Sequence, residues 1–204
     1  MTASVSPFVP AVAERPPLHR VLGAVGLLAA PAFFLQWLGW LATPAPGPGV
    51  KSLGATLICV AYIAGFACSA VGMRRLRVTG RGRGAATVFG LQMTGLALAA
   101  GQQAHDLLGT RPFGDAAYMV TDMAWPLSHV FMIVVGVAVL RAGVWRGWRR
   151  WVPLACGLVL PLSFIPAAVW GHAAMGAVFC PGTALAFGAL GLALLTTPAR
   201  DGGR

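Results

Sequence analysis

Charge is scarce in this chain. Asp, Glu, Lys and Arg together make up 10% of its 204 residues, against about 25% in a soluble domain. So little charge excludes an ordinary water-soluble globule. Carboxylates are scarcer still, five against fifteen basic side chains, and the net charge is +10. In a soluble protein such an excess, with a pI near 11.3, points to nucleic acid. Here no basic stretch is interleaved with stacking aromatics on a soluble platform, so nucleic acid is not an expected partner. Cysteine is sparse too: Cys59, Cys68, Cys156 and Cys180 lie in apolar runs, and none forms a CxxC pair. That argues against a disulfide framework and leaves them as small buried apolar side chains.

Several catalytic patterns are also missing. There is no GxSxG elbow, no Walker A lysine and no dinucleotide-binding GxGxxG between a strand and a helix. Gly80-Arg81-Gly82-Arg83-Gly84 reads as a flexible basic loop. Lysine is absent from every apolar run, and Lys51 sits at a boundary, which excludes a retinal Schiff base of the usual kind.

What the chain has is hydrophobicity. Apolar residues make up 57% of it, and its mean hydropathy is +0.75. Spanning a bilayer as a helix takes about 20 apolar residues. Six windows qualify: about 20–42, 52–73, 85–104, 123–144, 152–170 and 174–195. The expected fold class is an all-α membrane protein, a six-transmembrane-helix bundle. Residues 1–18, rich in proline, read as a disordered tail, 19–196 as the membrane domain and 197–204 as a second tail. The first window is too long for a signal h-region of about 7–15 residues, and no good cleavage site follows it. Pro161 and Pro166 are expected to kink the fifth helix.

The loops give an orientation. All basic residues except Lys51 and Arg111 fall on one side, whereas Asp106, Asp115 and Asp122 fall on the other. The positive-inside rule places the arginine-rich side in the cytoplasm, with both termini there. Trp145, Trp148 and Trp151 alternate with Arg146, Arg149 and Arg150. This reads as an interfacial belt beside lipid head groups, and as a candidate lipid interface. The abundance of Ala, Gly, Arg and Val suggests a high-GC bacterial genome and an inner-membrane location. Gly26 with Ala30, and Gly65 with Ser69, are small residues four apart that let helices approach closely. The run Pro44–Gly49 reads as a stiff outer turn. Ala116–Val120 reads as a short interfacial helix capping the bundle. Apolar runs beginning at Val88 and Val178 are too loosely alike to define an inverted repeat.

Ionisable groups inside a span call for explanation. His105 and Asp106 close the third window, and Gln92, Gln102 and Asp106 share a helical face. Asp122 and His129 are seven apart on the fourth, with His129 about 10 Å deeper. His172 falls in the turn between the fifth and sixth helices. By topology His129, Asp122, His105, Asp106, His172 and Gln102 form a candidate polar pocket on the outer side. Imidazoles and carboxylates from separate helices suit zinc or iron, and paired imidazoles suit haem. That makes His105, His129 and His172 candidate ligands. The plainer alternative is a set of wet interfacial groups, with His129 bonded to Ser128 or to a carbonyl of a neighbouring helix.

Three functional classes stand. A packing or assembly component, partnered by lipids, by itself or by a larger membrane complex, fits the small residues best. A small-solute or proton-coupled carrier with an outward pocket is second. A metal- or haem-dependent enzyme or electron carrier is third. No cofactor follows from the sequence.

Overall fold

The computed structural model describes residues 17–42, 52–107 and 115–198. The proline-rich tail, the Pro44–Gly49 turn, Lys51, Arg111 and the last six residues lie outside them. Seven α-helices are described, with a short 3-10 helix, Gly147–Trp151, leading into the sixth: α1 (Leu18–Ala29), α2 (Ala32–Ala42), α3 (Leu53–Arg75), α4 (Arg83–Leu107), α5 (Ala116–Ala142), α6 (Val152–Trp170) and α7 (His172–Leu195). Counting α1 and α2 as one, they make six spans long and apolar enough to cross a membrane. The protein is an all-α, six-span membrane bundle.

Each span packs on the next in sequence, and α7 returns to pack on α1, closing a ring. The interior holds Tyr62, Phe66, Met132, Val135, Phe187, Leu190 and Leu194. The outer faces remain apolar: Leu28 is 79% and Leu185 75% exposed. Such a surface is compatible with lipid rather than water. Glycines set the closest crossings. A Cβ on Gly26 would overlap the Ser69 hydroxyl, and one on Gly65 would overlap Ala29. The small residues four apart therefore join α1 to α3. Gly136 meets the backbone of Leu154, and Gly157 meets that of Ile133, joining α5 to α6.

The structure departs from the sequence reading at three places. The first span is broken: α1 ends at Ala29 and α2 starts at Ala32. Pro31 lies in the break. It has no N–H for the Leu27 carbonyl, and its ring crowds that turn. In contrast, α6 runs unbroken through Pro161 and Pro166. Second, Ala116–Val120 is not a separate interfacial helix but the first turn and a half of α5. Asp115 caps it, its Oδ1 accepting the Ala117 N–H at 2.9 Å. Third, His172 is not in a turn but opens α7. The turn is the single residue Gly171, at φ 84° and ψ −179°, a conformation essentially restricted to glycine.

The charge pattern survives in three dimensions. One end of the bundle gathers Arg20, Arg74, Arg75, Arg83, Arg141, Arg146, Arg149 and Arg150. The other gathers Asp106, Asp115 and Asp122, the only carboxylates among the described residues.

Candidate functional site

The acid-bearing end encloses a cavity of about 150 Å³ between α2, α3, α4 and α5. Its polar lining is Gln36, Cys59, Gln102, Gln103 and Asp122. Its apolar walls are Phe33, Trp40 and Trp125. The break at Pro31 separates α2 from α1, and Gln36 is the only buried residue of α2. The volume has room for several waters or a small polar solute.

The three glutamines form an ordered arrangement of donors and acceptors. Gln102 donates its amide N–H to Asp106 Oδ2 at 3.3 Å, so its carbonyl accepts from Gln103 Nε2. A carboxylate accepts only, which fixes both amide orientations and leaves Gln103 Oε1 as an acceptor with no partner among the described residues. Across the cavity the Cys59 thiol donates to Gln36 Oε1 at 3.3 Å, and Gln36 Nε2 is a donor with no partner among the described residues. Both glutamines are at least nine-tenths buried. Such groups in a protein interior normally find a partner. Asp122 is half-buried, and Trp40 is half-exposed at the rim. Pro126, one turn beyond Asp122, cannot donate to the Asp122 carbonyl.

Beneath this cavity lies His129, 1% exposed. Its Nδ1 is 3.0 Å from the Trp125 carbonyl and its Nε2 is 2.9 Å from the Tyr62 hydroxyl. A carbonyl only accepts, so Nδ1 carries a hydrogen; the neutral ring then accepts the Tyr62 O–H at Nε2, and every polar atom of the pair is satisfied. Phe66, Trp125, Phe179 and Phe187 enclose the imidazole, with ring centroids 4.5–5.8 Å away. Trp125 and Phe33 separate His129 from the cavity. They line the cavity on one side and pack against His129 and Tyr62 on the other.

Of the expected pocket residues, Asp122 and Gln102 line the cavity, and Asp106 is joined to it through Gln102. His129 sits below the floor, bonded to Tyr62 and Trp125 rather than to Ser128, whose hydroxyl bonds the Ala124 carbonyl. Gln92 lies apart, donating to the Ser128 carbonyl at 3.3 Å. His105 packs edge-on to Tyr118, and His172 is exposed. Among the described residues no three His, Cys, Asp or Glu side chains are placed to hold a metal ion. Both His129 nitrogens are already engaged, so the grouping of His105, His129 and His172 as ligands has no geometric support. Gln36, Cys59, Gln103, Tyr62 and Trp125 complete the site and were not among the residues expected to form the pocket. The sequence signal for Gln36 was a lone amide within an apolar span.

At the arginine-rich end, Trp148 and Trp151 are half-exposed, with Arg149 and Arg150 over their rings at 5.8 and 5.0 Å. Trp145 departs from the expected belt: it is 4% exposed and belongs to the core. All four cysteines are thiols.

No protein-family model matches the chain, and neither a curated protein nor a solved structure matches it.

Proposed function

We propose that this is a multi-pass protein of the bacterial inner membrane, both termini cytoplasmic, whose cavity binds a small polar solute from the outer side. One observation carries the reading: Gln36 and Gln103, whose Nε2 donor and Oε1 acceptor have no partner among the described residues, line the same cavity as Asp122. The complementary solute carries a cation for Asp122, an N–H or O–H donor for Gln103, and an acceptor oxygen for Gln36. The faces of Trp40 and Trp125 suit a cation as well. His129 and Tyr62 do not touch the solute in this reading; they position Trp125. The arginine distribution supports the orientation, and the composition supports the bacterial origin. The closely packed glycines meet other helices of the same chain, so they do not by themselves call for an assembly partner.

Ethanolamine, choline and, as an anionic control, acetate are the probes. Isothermal titration of the full chain in detergent should give saturable binding of ethanolamine or choline and none of acetate. Asp122→Asn should weaken it by about tenfold or more, the scale of a lost charge-assisted hydrogen bond, and His172→Ala should leave it unchanged. No saturable binding of either cation at millimolar concentration sinks the reading.

A further inference from the structure

A second cleft, at the opposite end of the bundle, carries an inference independent of the solute cavity. It holds about 220 Å³ and is lined by Leu76, Val144, Trp145, Arg146, Arg149 and Thr197. Two of these side chains carry a donor with no partner among the described residues, Trp145 Nε1 and Arg149 Nε. Trp145 is more than nine-tenths buried, and a buried indole N–H usually finds an acceptor. Both groups donate only, so what completes them is an acceptor.

The described residues offer little. The described carboxylates are all at the far end. The Thr197 carbonyl is already bonded to His19 Nε2 at 3.1 Å, and the Thr197 hydroxyl donates to the Ala193 carbonyl. Arg149 is held in place by the Thr196 carbonyl and hydroxyl, at 3.1 and 3.2 Å from one terminal nitrogen. This fixes the guanidinium while leaving Nε available.

We propose that this cleft binds a phosphate group. Phosphate offers several acceptor oxygens to the indole N–H and the two guanidinium forks, and arginine matches its geometry. Leu76 and Val144 give an apolar wall for what the phosphate is attached to. Trp148 and Trp151, half-exposed in the same turn of chain as Arg149, mark the level of a membrane surface. The group comes either from an anionic lipid head group or from a soluble phosphate.

The test is native mass spectrometry of the full chain in detergent, titrated with phosphatidylglycerol or phosphatidylcholine, alongside calorimetry with inorganic phosphate. A lipid source gives phosphatidylglycerol adducts favoured about tenfold over phosphatidylcholine, the preference falling towards one in W145F and R146Q. A soluble source gives phosphate binding lost in the same variants. W145F keeps an aromatic ring and Arg146 is exposed, so both variants should fold even where R149Q, which loses its Thr196 bonds, does not. Binding of neither probe, or binding unchanged in W145F and R146Q, overturns the proposal.

Discussion

The hydroxyl of Tyr62 meets Nε2 of His129 at 2.9 Å, and the two rings are parallel to within 4°. This bond ties α3 to α5 through the middle of the bundle. Tyr62→Phe leaves the imidazole nitrogen buried without a donor and should cost about 1–2 kcal/mol. Unfolding in mixed micelles measures it. Replacing both residues by phenylalanine should cost less than the two single changes added together, because neither partner is then left unsatisfied.

Gln36→Leu separates stability from binding. It removes a buried amide whose nitrogen has no partner among the described residues, at the loss of only a weak thiol bond from Cys59, so the folded protein should become more stable, by about 1 kcal/mol. Solute binding should weaken in the same variant. A loss of stability would mean that the amide is structural.

Gly157→Ala puts a Cβ against the backbone of Ile133, which cannot move aside alone. The α5/α6 crossing must open, at about 1–3 kcal/mol or more. Gly90→Ala, with nothing within 4 Å of the added carbon, should leave the unfolding midpoint unchanged or slightly raised. Equal effects would contradict the crossing.

Purified protein should hold iron, zinc, copper and manganese well below one per chain, also after metal is added back. Elemental analysis decides this. One equivalent lost on His129→Ala would require His129 to exchange its two present bonds for coordination.

A fluorescent-protein fusion after the last residue should fluoresce, and an alkaline phosphatase fusion there should be inactive, as a cytoplasmic terminus requires. An active phosphatase would invert the bundle.

Much of this architecture can be read directly from residue patterns. The fifth window, 152–170, coincides with α6, because Pro153 suits a first helical turn and Gly171 a helix stop. The break at Pro31 escaped because hydropathy averaged over 22 residues does not register one missing N–H. The early start of α5 was legible in principle, since Asp115 is a strong N-cap residue, but the polar composition around it read as loop. The candidate site was only half visible. Asp122, Gln102 and Asp106 declared themselves as polar groups on helical faces. Gln36, Cys59 and Tyr62 did not, because their chemistry arises from partners 23, 23 and 67 residues away. No local spacing encodes such pairs.

The break at Pro31 divides one span into halves under different constraints. In α1, Gly23 and Gly26 abut α7 and α3, where any larger side chain collides. In α2, Gly39 has nothing near it, and only Gln36 is buried, yet this helix supplies Phe33, Gln36 and Trp40 to the cavity wall. Sequence change along α2 can therefore alter what the cavity accepts while α1 keeps the crossing intact. The first half of the span is framework, and the second is the natural place for selectivity to diverge.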